Sequence, residues 1–212
     1  MANEVPLRVT GMDVKCFDEW NRAPSSGFAS PHHGEPLQFS ATASFLSKLY
    51  SNCLKLLRRS GVSCSGEFYS LEMLRRLSMS QVYYMLGDNP KKMSYMVGFG
   101  NKYPTQVHHR VASIRWDDQN YSCPEGDRWL SSKEPNPNIL YGAMVAGPDK
   151  LDNFLDERKV MVHRATIASN ADLVVALIAL HDLPHKTSDS NDTHLGIDAG
   201  IFESIQLLPP AE

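Results

Sequence analysis

Residues 84–110 read YMLGDNPKKMSYMVGFGNKYPTQVHHR, and the rest of the chain is organised around this stretch. Leu86-Gly87 ends a helix, and Asp88-Asn89-Pro90 keeps it from resuming, because proline lacks an N–H and pushes the residue before it out of the helical region. Gly98, Gly100 and Pro104 then shape an ordered loop that presents His108, His109 and Arg110. A loop rich in aromatic, amide and basic groups suits a neutral polyhydroxyl ligand, held by stacking on ring faces and by planar donors such as guanidinium. The plainer alternative puts Phe99 and Tyr103 in the core and has the two histidines satisfy local hydrogen bonds.

Working outward, the spacing from Leu37 predicts a helix with Phe45, Leu46, Leu49, Tyr50, Cys53, Leu54 and Leu57 on its inward face, stopped at Ser60-Gly61. A loop over Val62–Tyr69 leads to Ser70, read as an N-cap. The next helix turns Leu71, Leu74, Val82, Met85 and Leu86 inward and Arg75 and Arg76 outward. Beyond the histidines, Ser113–Pro148 is dense in Gly, Pro, Asn and Asp and reads as a long functional loop, with Trp116, Tyr121, Trp129 and Tyr141 as candidate sugar platforms. Thr166–Leu180 is apolar on nearly all sides, which predicts a helix buried by neighbours all round. Paired helices with long loops gathered at one end define an all-α class.

With 212 residues the chain is long enough for one sizeable domain or two small ones. A net charge of −3, with no block of like charges, argues against a nucleic-acid partner. The opening MANEVPLRVTGMDVKCFDEW has no apolar core behind a basic end, so no signal or transit peptide is expected and the chain as written is expected in the cytoplasm. Its most apolar run, Leu173–Leu180, falls far short of the about 20 residues that span a bilayer. Cys16, Cys53, Cys64 and Cys123 lack the close spacing of zinc ligands, and any disulfide pairing stays open. A metal set built on His32-His33 and His108-His109 is disfavoured, because adjacent residues rarely turn both rings to one ion; no metal or other cofactor is expected.

Five further stretches follow in order with few breaks: GEPLQFSATASFL, YSCPEGDRW, KEPNPNILYGAMVAGPDK, NFLDER and TIASNADLVVALIAL. From about Gly27 to about Leu180, with the histidine stretch, they closely resemble the C-terminal portion of glycoside hydrolase family nine, the inverting endo-β-1,4-glucanases, and plant members above all. The resemblance implies part of an (α/α)6 barrel, with long loops at one end. It divides the chain into an unassigned segment at 1–26, a partial catalytic domain at 27–182 and an irregular tail at 183–212. It implies a β-1,4-glucan of the cell wall as partner, and proteins that are secreted or membrane-anchored. Open barrel faces would also favour self-association.

Carried over residue by residue, His108 is the motif's active-site histidine and hydrogen-bonds a sugar near the scissile bond. Asp156, in Phe154-Leu155-Asp156, orients the histidine loop or a sugar hydroxyl. Those two are the catalytic candidates; Arg110, His109, Tyr103 and Trp129 are the substrate-binding ones.

The chain departs from the pattern where protons move. Inverting hydrolysis needs one carboxylic acid and one carboxylate about 6.5–9.5 Å apart. The family takes its base from an Asp-Ala-Gly-Asp motif well upstream of the histidines, which is not among these residues; Asp198-Ala199-Gly200 runs into Ile201 and is a decoy. Its acid is a glutamate between the Asp156 motif and the last helix. Counting back from Asn170 puts Arg164 there, and counting forward from Asp156 puts Ala165; neither can act as an acid. Glu157 is expected on the surface. Val111 and Arg115 stand where relatives usually carry glycine and proline, so a displaced loop is expected. The reading is an endo-β-1,4-glucanase by descent, with a non-catalytic, weakly glucan-binding or unstable remnant as the alternative.

Overall fold

The computed structural model describes residues 36–64, 66–149, 151–159 and 164–181. Cys16, His32-His33, the Asp198 decoy and the segments at 1–26 and 183–212 lie outside the described residues. Three helices form the frame: α1 (Pro36–Leu56), α2 (Leu71–Leu86) and, after α3 (Arg110–Ser113) and α4 (Cys123–Leu130), the closing α5 (Ile167–Leu180). A hairpin of β1 (Gly61–Cys64) and β2 (Glu67–Ser70) joins α1 to α2.

α1 packs between α2 and α5, and its buried face is not the one its large apolar residues predict. Ser40, Ala41, Ser44, Ser47 and Ser51 are buried, whereas Phe45, Leu46, Leu49, Tyr50 and Cys53 are only partly covered and Leu57 is exposed. Leu54 alone of that set is fully buried. The reason is steric: small side chains let helix backbones approach. Ser44 Oγ donates to Ser78 O at 2.7 Å, Ser78 Oγ returns a bond to Ser44 O at 2.7 Å, and Ser47 Oγ donates to Leu74 O at 2.9 Å. A hydroxyl bonded across the contact loses nothing by burial.

α5 also corrects the sequence reading. Ser169, Leu173, Ala176 and Ala179 face α1 and α2, but Val174 is 50% exposed and Ile178 54%. Among the described residues only one side of the helix is covered, so apolarity all round does not produce burial all round here.

The Val62–Tyr69 loop is instead a hairpin, registered Gly61↔Ser70 and Cys64↔Glu67, with Gly66 at φ +88° in its turn. Cys64 and Tyr69 bury beneath it. Ser70 caps α2 as expected, accepting from Met73 N at 3.2 Å, and Gly87 closes it at φ +124°. Asn89 is buried just beyond, its Nδ2 donating to Tyr84 O and Met93 O at 2.7 Å each, which ties the helix end to the chain that follows.

That following chain threads the core. Val97 N bonds Ala143 O at 2.9 Å and Val145 N bonds Tyr95 O at 3.1 Å, so two loop segments lie side by side among Met85, Met93, Val107, Met144 and Leu173. The pairing continues outward: Val145 bridges Ala165 antiparallel, and His108 bridges Arg164 in parallel. These short ladders carry the loops to one end of the helices. No helix among the described residues is long and apolar enough to cross a membrane.

Candidate functional site

The histidine loop is pinned from behind. Asp156 accepts from Thr105 N at 2.8 Å, Thr105 Oγ1 at 2.6 Å and Gln106 N at 3.0 Å. Asn136, also buried, donates from Nδ2 to Val107 O at 3.0 Å. With both sides of the turn held, residues 108–110 emerge in a fixed direction.

His108 Nδ1 lies 2.7 Å from Arg158 O. A carbonyl only accepts, so Nδ1 carries a proton. His109 is held the other way: it caps α3, its Nδ1 accepting from Ala112 N at 3.3 Å, so its proton sits on Nε2. As neutral rings, the two neighbouring imidazoles offer the cleft one acceptor and one donor. Val111 follows in helical conformation and is 69% exposed, so its branched side chain points into solvent.

Arg110 reaches across to α4, its Nη2 donating to Tyr121 O at 2.7 Å and Ser122 O at 3.1 Å. α4 was not foreseen. Its start is fixed by Glu125, whose Oε2 accepts from Ser122 N and Ser122 Oγ at 2.6 Å each, and those bonds hold the carboxyl below its usual range. Gly126 leaves room for Arg110, since a Cβ there would come within 2.5 Å of Nη1. Gly126→Ala is therefore expected to raise the helix propensity of α4 by about 1 kcal/mol while dislodging Arg110. Thermal melting should change little, and affinity for a cleft ligand should fall several-fold.

Arg158 is the residue that sequence reading missed. It is 2% exposed, and donates from Nε to Asn136 Oδ1 at 2.7 Å, from Nη1 to Trp129 O at 2.6 Å and Ser132 O at 3.0 Å, and from Nη2 to Glu134 O at 2.6 Å. Burial lowers its pKa, against the opposing pull of Asp156, but the group stays charged. One side chain thereby fastens the loop after α4 to the segment whose carbonyl orients His108.

The result is a cleft of about 180 Å3 whose walls include His108, His109, Arg110, Asp127, Trp129 and Arg158. Trp129 meets the Tyr121 ring edge-on at 4.4 Å and carries the Arg128 guanidinium 3.8 Å from its ring centre. Of the six candidates, four line this space: His108, His109, Arg110 and Trp129. Asp156 stands one layer behind, bonded to the loop. Tyr103 is not brought to the cleft; it packs against the core cluster. Trp116, 84% exposed, and Tyr141, 73% exposed, lie outside the cleft wall.

The register at 164–165 turns the two residues to opposite faces. Ala165 packs against the core cluster, and successive side chains of an extended segment point to opposite faces, so Arg164 projects away from the core. Paired residues share a face, which puts Arg164 on the side of His108, although it is not among the residues that line the cavity. Among the described residues no cluster of His, Cys, Asp and Glu could hold a metal ion, and Cys53 and Cys123 are free thiols.

The helical frame and its loops thus wall a cleft with imidazole, guanidinium and indole groups. The chain belongs to glycosyl hydrolase family 9, whose model matches residues 12–177, a span that begins within the segment sequence reading left unassigned. It is 48% identical to Endoglucanase 25 of Arabidopsis thaliana over 167 residues, 77% of this chain and 27% of that protein. It is 46% identical to Endoglucanase 10 of Oryza sativa subsp. japonica over 170 residues, 79% of this chain and 27% of that protein. The chain thus spans about a quarter of the length of these curated relatives.

Among solved structures it is similar to the cellulase Cel9M of C. cellulolyticum in complex with cellobiose, with a TM-score of 0.57 and 28% identity over 76% of this chain and 32% of that one. The endoglucanase of the termite Nasutitermes takasagoensis gives a TM-score of 0.57 and 26% identity, over 77% of this chain and 36% of that one. These are (α/α)6-barrel enzymes, and the present helices are part of such a barrel.

Proposed function

We propose that this chain forms the glucan-holding end of an endoglucanase cleft and that these 212 residues bind β-1,4-glucan without hydrolysing it. Binding is supported by the convergence of His108, His109, Arg110 and Trp129 on one cavity, which supplies an acceptor, donors and a ring face to a sugar. The second half is supported by the bridge between His108 and Arg164, which sets an arginine beside the histidine at the position where the family spacing counts back to the acid. Inverting hydrolysis needs a carboxylic acid to protonate the departing oxygen. A guanidinium stays charged and gives up no proton. Losing a positioned general acid costs a factor of about 10²–10⁴ on its own. Asp127 is the one carboxylate among the described residues of the wall, so the pair of carboxyl groups is incomplete here. A base brought in by a longer chain would still lack that acid.

Two assays on one preparation test this. Affinity electrophoresis through gels containing hydroxyethyl cellulose should retard the protein, and reducing-sugar release from the same polymer should stay at the level of a heat-treated control. Unretarded migration of a well-folded sample would remove the binding claim. Sugar release that persists after further purification would remove the other.

A further inference from the structure

Asp127 lines the cleft, and its carboxylate forms no hydrogen bond or ion pair with any described residue. The other acidic side chains close to this part of the fold are spent on it. Glu125 accepts from Ser122, and Asp156 accepts from Thr105 and Gln106. The neighbouring guanidinium groups are occupied elsewhere: Arg110 gives Nη2 to the carbonyls of Tyr121 and Ser122, and Arg128 lies over the Trp129 ring.

The backbone that carries Asp127 is anchored on both sides. α4 begins at the Ser122–Glu125 capping box, Asp127 O accepts from Ser131 N at 3.0 Å, and Trp129 O accepts from Arg158 Nη1 at 2.6 Å. A short side chain on a fixed helix loses little freedom when a ligand engages it.

The chemistry of the group limits what it can take. A carboxylate only accepts, with two oxygens and about four lone-pair sites. Adjacent free hydroxyls of a pyranose ring are donors that can meet the two oxygens side by side. His109, whose Nδ1 accepts from Ala112 N, turns an Nε2 proton to the same cavity, so a hydroxyl compound there finds both a donor and an acceptor. A ligand with capped hydroxyls would displace water from the carboxylate and return no donor, which costs affinity.

We propose that Asp127 is a binding and specificity-determining residue that accepts from adjacent free ring hydroxyls, so that the cleft selects unsubstituted β-1,4-glucan over chains whose ring hydroxyls are blocked. The proposal rests on the reading above that the cleft holds a β-1,4-glucan, and adds to it the groups by which that glucan is held.

Calorimetric titration of the full chain with cellotetraose and with its 2,3-di-O-methyl derivative tests it. Cellotetraose should bind about tenfold tighter. Asp127→Asn should weaken cellotetraose binding about fivefold, since the amide keeps one acceptor oxygen, and should leave the methylated tetramer nearly unchanged. Asp127→Ala should bring the two tetramers to similar affinity, and Asp127→Glu should retain part of the preference. Glu72→Gln, on the solvated face of α2, should leave both affinities as they are. Cellotetraose binding that is unchanged in Asp127→Ala overturns the proposal and leaves glucan binding standing. A preference that persists in Asp127→Ala would mean that methyl bulk sets it, and equal losses for both tetramers would mean a damaged wall; either also overturns it. Failure of the unaltered chain to bind either tetramer removes both readings.

Discussion

Arg158→Met is expected to cost about 3–5 kcal/mol of folding stability, seen as a lowered urea midpoint with little change in slope. The side chain is 2% exposed and makes four hydrogen bonds, to Asn136, Trp129, Ser132 and Glu134. Methionine fills much of the same volume but donates to none of them. Each buried acceptor left without a partner costs about 1–3 kcal/mol, less where the loop opens to water. A domain of this size is stable by only about 5–15 kcal/mol, so the loss is a large share of the total. Burying a guanidinium is itself costly, so this figure measures the damage of breaking the arrangement and not the net worth of having the charge there.

Arg158→Lys should recover only a fraction, because an ammonium cannot span four oxygens laid out for a planar fork. The backbone carbonyl survives both substitutions. Nitrogen chemical shifts of His108 therefore test whether the side-chain clamp also holds the imidazole: the proton should begin to exchange between Nδ1 and Nε2 once residue 158 can move. A midpoint shift below about 0.5 kcal/mol would show that the loop after α4 is held by other contacts.

The sequence disclosed those parts of the fold whose physics is local. The Ser70 cap and the Gly87 stop each depend on one residue's own chemistry and its immediate neighbours, and both stand as read. The all-α class follows from periodicity in the same way. Tertiary packing defeated the reading elsewhere. The face of α1 with the larger side chains is partly covered, because the contact with α2 selects hydroxyls that reach neighbouring carbonyls, a preference that hydrophobicity does not encode. α4 was legible but overlooked: Ser122, Pro124 and Glu125 spell a helix start inside a segment read as irregular. Arg158 left no signal, because a buried arginine looks like any surface arginine until its partners, more than twenty positions away, are known. Counting residues could not choose between Arg164 and Ala165; the two-residue period of the short ladder turns Ala165 to the core and Arg164 away from it.

Asp156→Asn should loosen the histidine loop while sparing the helical frame. The carboxylate accepts three bonds from Thr105 and Gln106, and an amide of the same shape offers one acceptor oxygen and turns an NH2 toward donors. The expected loss is about 2 kcal/mol, since bonds to a charged acceptor exceed neutral ones but this site is partly wet. Hydrogen exchange should locate it: amides of Thr105 and Gln106 should exchange faster, with His109 following, and those buried in α1 and α5 should not. Glucan retardation should weaken in parallel, because His108 and Arg110 hang from the loosened turn. A residue acting directly on the sugar would behave differently, losing binding or turnover with the loop amides still protected. Asp156→Glu separates the two roles further: its longer arm can regain one or two of the three bonds, so it should restore protection in part and binding in proportion. Unchanged exchange at Thr105 and Gln106 in the asparagine variant would mean that Asn136 alone secures the turn, and that Asp156 has its role at the ligand after all.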